Sequence, residues 1–388
     1  MSEIGGLLIK TGEGQLSTVQ SETVNFFEQP ENQYECDSDN YLDRIVIKNV
    51  LGIAELDLKL SHNINVFIGD NSTGKTAILK SIYSVMSGYA SCKEHFTKLD
   101  LQSNIEKKIK EVFRPNENRI GNIVKKKTDR AFISLNFLNG SVSVDFSASA
   151  SEHVVCKSDS SLKISNRLVY IPPKEMISVD NFSSLYEHYQ ISFEEMYYDL
   201  SRRLQMPRPT QLNNKSKSVI EELTNLIDGD IEWKDHKFFY KSLSNSEQYE
   251  MGLLSEGYRK IGTLIYLISN GNLKQGSVLI WDEPETNMNP RMVEKLCKAF
   301  ISLSTLGVQI IITTHDYFIS NELGLSAKYD NNSLKLEYNF VSLYRAENWF
   351  IRESVESPDL NITKFILGFL LSNRRDWSKL SSECTSYS

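Results

Sequence analysis

Cysteine is scarce and unpaired in this chain of 388 residues. The five cysteines, Cys36, Cys92, Cys156, Cys297 and Cys384, are odd in number, widely spread and form no C-x-x-C pair. That excludes a disulfide framework and a structural zinc site, and predicts reduced, mostly buried thiols. Long hydrophobic runs are missing as well. Residues 364–371 form one of the longest, far short of the roughly 18 residues needed to span a bilayer. The start of the chain has neither the basic residues nor the apolar stretch of a secretory signal. A cytoplasmic protein without a membrane partner is expected. No internal repeat or sustained heptad occurs, which excludes a long coiled coil.

What is present is ordinary globular material, 40% hydrophobic and 24% charged, enough for two or three domains or one large α/β core. The net charge of −7 is local: residues 1–40 hold eight acids against Lys10 alone, so residues 41–388 sum to zero. These first 40 residues read as an acidic, flexible leader.

Past residue 40 the pattern turns β-like. Ile45, Ile47 and Asn49 alternate with Val46 and Lys48, and Leu56, Leu58 and Leu60 alternate with charged or polar neighbours. Residues 64–68 form a short strand ending at a glycine, and a helix is predicted from Lys75 to about Gly88. Residues 131–138 and 141–146 flank Asn139-Gly140, a two-residue hairpin turn signal. Residues 168–171 read as a buried strand stopped by Pro172-Pro173, residues 180–228 as mainly helical, and Trp233 with residues 238–240 as a second hairpin around Asp235. From Ser255 the order is helix, strand (278–281), helix (290–304), strand (308–313). Such alternation is an α/β signature with buried parallel strands.

Four segments carry chemistry. Gly69-Asp70-Asn71-Ser72-Thr73-Gly74-Lys75-Thr76 fits G-x-x-x-x-G-K-[ST] between an apolar strand and a helix. Glycines let successive N–H groups curl around phosphate oxygens, Lys75 meets the β/γ-phosphates and the Thr76 hydroxyl suits Mg²⁺. The positive end of the helix dipole adds to this. The apolar run Val278-Leu279-Ile280-Trp281 ends in Asp282-Glu283. Adjacent buried carboxylates need a compensating cation, so Asp282 is expected in the Mg²⁺ shell and Glu283 as the base for an attacking water. His315 stands just past a third apolar strand, where it either contacts a γ-phosphate or caps the surface. Ser255, with Glu256 and Gly257 behind it, is a plausible helix N-cap.

In chain order, Gly69–Thr76, Ser255–Gly257, Asp282–Glu283 and His315, the four segments resemble the ABC-type ATPase heads, and specifically the soluble SMC, RecF and OLD-like group catalogued as AAA-type ATP-binding proteins. The likeness extends to the opening strands, Ile45-Val-Ile-Lys-Asn-Val-Leu-Gly-Ile and Ile64-Asn-Val-Phe-Ile-Gly, to a signature segment, Leu254-Ser-Glu-Gly-Tyr-Arg-Lys, and to Asp282-Glu-Pro-Glu-Thr-Asn. It covers roughly residues 41–90 and 240–320. The resemblance implies a P-loop fold of mixed sheet with an antiparallel β layer and a small inserted helical lobe. It also implies ATP and Mg²⁺ as cofactors, and two heads paired head to tail. ATP on Lys75 of one copy would be closed over by Ser255 and Gly257 of the other, and Glu283 and His315 would serve hydrolysis. On this reading the head comprises residues 41–175 and 236–325, the helical lobe residues 176–235, and residues 326–388 form strands and a helix (362–372) for docking a partner.

This sequence departs from the group's pattern in places. Glu256 replaces the usual first signature glycine, which either weakens closure or demands a compensating cation, Asn287-Met288-Asn289 is less apolar than usual, and no glutamine loop is evident. Lys174-Glu175 occupies the corresponding region with no assigned role.

Residues 105–130 carry nine Lys/Arg against four acids, and residues 201–218 carry five and no acid. These stretches are either a phosphate-backbone surface or a solvated face. The 72 residues after Asp316 are too few for a nuclease domain of the expected kind and contain no Asp-x-Asp pair. The expected function is therefore a nucleotide-driven switch in a bacterial anti-phage defence system, acting on a separate effector and with nucleic acid as a candidate partner. A RecF-like DNA-repair ATPase is the alternative, and a transporter subunit is disfavoured by the insertion and the missing glutamine loop.

Overall fold

A computed structural model describes residues 41–356, apart from Glu94, Gln190, Ile191, 330–334 and 347–348. The acidic segment 1–40 and the expected helix over 362–372 lie outside the described residues. In chain order, an antiparallel pair β1 (Leu42–Val50) and β2 (Ile53–Lys59) leads to β3 (Ile64–Gly69), helix α1 (Lys75–Ala90) and helix α2 (Lys98–Phe113). Strands β4 (Arg130–Phe137), β5 (Gly140–Ser147), β6 (Val155–Ser158) and β7 (Leu168–Ile171) follow, then helices α3 (Phe182–Tyr189), α4 (Glu195–Leu204) and α5 (Asn214–Ile227). A hairpin, β8 (Gly229–Lys234) and β9 (Lys237–Ser242), takes on the short β10 (Gln248–Glu250). The remainder runs α6 (Glu256–Ser269), β11 (Val278–Asp282), α7 (Pro290–Thr305), β12 (Gln309–Thr314), α8 (Tyr317–Tyr329), β13 (Tyr338–Ala346) and β14 (Trp349–Glu356).

The central sheet has the order β14-β13-β3-β12-β11-β7. Its strands are parallel except for β14, an antiparallel edge. All residues of β3, β11 and β12 are buried, because both faces of the sheet are covered. Alternation within each strand decides which side a residue serves. Val278 and Ile280 join α1 and the β1–β6 layer in one core, while Leu279 and Trp281 join α6 and α7 in the other. The antiparallel layer has the order β2-β1-β4-β5-β6.

Amides stitch the two sheets at their buried starts. Gln309 accepts from the Leu42 amide at 2.9 Å and donates to the Leu42 and Ser61 carbonyls at 2.8 Å each. These bonds satisfy a side chain that would otherwise be costly to bury. Of the described cysteines, Cys156 and Cys297 are buried and Cys92 is half-buried, all free.

Several local expectations shift. In β1 the buried set is Leu42, Ile45, Ile47 and Val50. Asn49 leaves the alternation because its φ is +57°. The β4–β5 turn is Leu138-Asn139, one residue earlier than expected, since Phe137 pairs with Gly140. A domain boundary at 235 would cut the β8–β9 hairpin, whose ladder pairs Lys234 with Lys237. Strand β13 falls in the segment 326–388, set apart from residues 236–325 in the sequence reading. It runs parallel to β3 inside the central sheet, with Leu343 beside Gly69.

Candidate functional site

The glycine-rich loop leaves the buried end of β3 and enters α1. Asp70, Asn71 and Ser72 are exposed, whereas Thr73 tucks in and donates its hydroxyl to the Asp70 carbonyl at 2.8 Å. Glycine is required at 69 because a Cβ there would lie 2.3 Å from the Leu343 carbonyl oxygen of β13. Gly74 takes φ +97° at the N-cap of α1 and supplies no capping side chain, and the first turn holds no acid. Its N–H groups and dipole are therefore left for an anion. The Lys75 ammonium, 4% exposed, donates to the carbonyls of Gly69 at 2.6 Å and Asp70 at 2.8 Å. Burial pulls it down from the ordinary lysine value, against the nearby charges of Glu283, Asp282, Glu285 and Asp70.

Asp282 closes β11, 2% exposed, and accepts from the hydroxyls of Thr76 at 2.9 Å and Thr313 at 2.5 Å. Burial pushes its carboxyl up, while the two hydroxyls hold it down. A buried carboxylate served by hydroxyls alone fits a small hard cation. Among the described residues no cluster of three His, Cys, Asp or Glu side chains could enclose a metal, so such a cation would complete its shell with waters and ligand oxygens. Glu283 follows with φ +49°, its amide held by both the carbonyl and the hydroxyl of Thr313 at 3.1 Å. Its carboxylate lies 3.3 Å from His315 Nδ1, at the end of the neighbouring β12.

Ser255 sits at the N-cap of α6, but its hydroxyl makes no capping bond and is exposed. Gly257 is buried against Met292, three of whose atoms would lie 3.0 Å from an added Cβ. Among the described residues, no hydrogen bond or ion pair ties either residue to the loop at 69–76. The cation that Glu256 demands is Lys260, one turn along and 1% exposed, at 3.4 Å. Lys260 also donates to the carbonyls of Pro284 at 3.0 Å and Thr286 at 2.6 Å. Glu175 pairs with Arg259 at 2.8 Å and accepts from the Ser178 hydroxyl, which ties the segment after β7 to α6.

The sequence reading missed Lys260, Arg259, Thr313 and Glu285. Three acids in four positions behind an apolar strand would have flagged Glu285, and the i, i+4 spacing from Glu256 would have flagged Lys260.

Comparison with known proteins bears on this geometry. A family model described as "AAA domain, putative AbiEii toxin, Type IV TA system" matches residues 64–321. The DNA replication and repair protein RecF of Glaesserella parasuis serovar 5 (strain SH0165) is 37% identical over 65 residues, 17% of this chain and 18% of that protein. RecF of Clostridium botulinum (strain Eklund 17B / Type B) is 43% identical over 60 residues, 16% of each chain. The chain thus aligns with less than a fifth of these relatives' length. Among solved structures, an Smc head bound to the C-winged helix domain of ScpA has a TM-score of 0.53 at 11% identity, covering 84% of this chain and 99% of that one. An Smc head domain with a coiled coil and joint from Pyrococcus yayanosii scores 0.52 at 8% identity, covering 86% and 100%. Both share the fold. With the family match spanning more than half of its length, the chain belongs to the AAA_21 family, whose members carry this AAA domain.

Proposed function

We propose that this protein binds ATP with Mg²⁺ and hydrolyses it to ADP and phosphate. Turnover opens and closes a head-to-tail pair of chains that controls a separate effector in an anti-phage defence system. One observation carries the reading: Thr76 and Asp282, 206 residues apart, share hydrogen bonds beside the buried Lys75 and the Glu283–His315 pair. The meeting point is the carboxyl end of parallel strands, where α/β folds take ligands.

In this reading the first-turn N–H groups of α1 hold the phosphates, and Lys75 exchanges its two loop carbonyls for phosphate oxygens. Thr76 and Asp282 would hold a magnesium ion, which would supply positive charge against the transferring phosphoryl group. Glu283 takes a proton from water as the water oxygen bonds to the γ-phosphorus and the bond to the β–γ bridging oxygen breaks. His315 orients the γ-phosphate. The free, exposed Ser255 hydroxyl at the N-terminus of α6 supports a role for this helix end toward nucleotide on a second copy. The family description, which names a toxin and a type IV TA system, supports coupling to a toxic outcome.

A second reading, direct DNA binding, is favoured by the RecF identity. It is weakened because part of the basic segment is paired with acids of the chain itself. Lys108 is paired to Glu195 and Asp199, Lys110 to Glu106 and Glu152, and Arg130 to Asp145.

The test is Glu283→Gln, expected to retain ATP binding, lower turnover at least about 100-fold and accumulate dimers with ATP on size exclusion with light scattering. Lys75→Ala is expected to lose nucleotide binding by calorimetry. Turnover at the normal rate in the first variant, or unaltered affinity in the second, sinks the assignment. Salt-sensitive binding of duplex DNA by the chain alone would select the second reading.

A further inference from the structure

Glu285 is not used in the reaction set out above, yet it is buried at the centre of the site. It is 4% exposed, and its Oε1 accepts from the Thr314 hydroxyl at 2.6 Å and from the His315 amide at 3.1 Å. The same oxygen lies 3.7 Å from His315 Nδ1, which is also 3.3 Å from Glu283 Oε1. The other oxygen, Oε2, is buried with no donor. Leaving a charged group half-satisfied in this way costs stability. Lys260 grips the carbonyls on both sides of it, Pro284 and Thr286, and the Met288 amide donates to its own carbonyl at 2.9 Å. The backbone is fixed, so the carboxylate is held where it stands.

We propose that Glu285 is a positioning residue that orients the His315 ring and keeps a proton on Nδ1, so that Glu283 is free to act on water while the other ring nitrogen, Nε2, donates to a phosphate oxygen once the ring carries its second proton. Two carboxylate oxygens near one ring nitrogen repel a lone pair, so Nδ1 carries a hydrogen whether the ring holds one proton or two. Glu283 cannot serve as the acceptor for Nδ1–H and as the base for water at the same moment. When it turns to water, Glu285 remains as the carboxylate facing Nδ1. A glutamine would offer the same oxygen to Thr314 and to the His315 amide, and would serve equally well as a plain strap. What it would lack is the charge opposite Nδ1. Burial pushes the Glu285 carboxyl up, a cost retained where a neutral amide would suffice for strapping alone.

The catalytic part of this rests on the ATPase reading above, but the histidine part does not, and the experiment separates them. Imidazole ¹⁵N spectra of the full chain without nucleotide are recorded under alkaline conditions, with the His315 signal assigned by its loss in His315→Gln. The expectation is that Glu283→Gln keeps the Nδ1–H tautomer and Glu283→Gln with Glu285→Gln loses it. Glu285→Gln alone should bind ATP within about twofold of the native affinity and turn over about tenfold more slowly. An unchanged tautomer in the double variant overturns the proposal, and so does native turnover in Glu285→Gln. A native chain that fails to bind ATP overturns the ATPase reading instead, while the tautomer comparison still decides the Glu285–His315 link. Should the glutamine variants not fold, Thr314→Val, which keeps the charge but removes one tether, is expected to shift the tautomer in the same direction by less. No shift there overturns the proposal.

Discussion

Lys260 shows how one side chain can answer a departure elsewhere in the sequence. Glu256 brings a carboxylate to the start of α6, and Lys260, one turn along, neutralises it while bonding two carbonyls of the turn after β11. Burial pulls the lysine down from its ordinary value, against the pull of Glu256. Removing one partner of a buried pair leaves the other uncompensated, so Lys260→Met is expected to destabilise the fold by about 3–5 kcal/mol. Adding Glu256→Gln should return part of the loss, because the stranded charge goes with it. Urea midpoints check this, and an unaltered midpoint in Lys260→Met would show that the pair carries nothing. At this scale the sequence was readable where chemistry is local. Gly69, Lys75, Thr76 and Asp282 lie in short motifs whose residue types are dictated by what they hold. The role of Glu285 was not readable even though its position could be flagged, because that role comes from Thr314 and His315, which meet it only when β11 and β12 pair.

Helix α4 is fastened to its neighbours by charge rather than by apolar packing alone. Lys80 of α1 pairs with Glu194, Tyr83 of α1 donates to Asp199, and Lys108 of α2 bonds Glu195 and Asp199. The helix carrying the glycine-rich loop at its start is thus joined to the lobe of α3, α4 and α5. Glu195 faces Glu111 as well. Burial first, then Asp199, pushes its carboxyl up to about 8, with Lys108 pulling the other way. The folded chain therefore holds a proton that the unfolded chain releases near 4.5. Stability from this neutral carboxyl is complete below about 4.5 and is lost as pH rises through about 8. Glu195→Gln cannot lose its neutral form. Its urea midpoint relative to the native chain should therefore climb across that window. A constant difference between the two would refute the buried proton. The helices themselves were legible from periodicity and from the breaks at Pro207 and Pro209, but their fastening was not. A lysine in a basic run looks solvated until the acids of a distant helix are placed beside it.

For the whole molecule, the α/β alternation, the antiparallel layer and the helical insertion could be read before any coordinates. The membership of β13 could not, since a strand's neighbours depend on pairings that sequence spacing does not encode. A whole-molecule prediction concerns composite sites. If closure takes Lys75 from one copy and Ser255 from another, Lys75→Ala and Ser255→Arg chains should each be inactive alone. Mixed equally, they should regain about a quarter of native turnover, because half of the random dimers contain one intact site. No recovery in the mixture would place both functions within a single chain. The seating of β3 has its own consequence for biosynthesis. Its two neighbours in the sheet are β12 and β13, both translated some 240 residues or more after it. A nascent chain therefore exposes an apolar strand with open edges on both sides until nearly the last described strand has left the ribosome. The phosphate loop cannot be locked against Leu343 any earlier, so any nucleotide capture by it would have to wait for β13, and chains made only as far as β12 would stay silent.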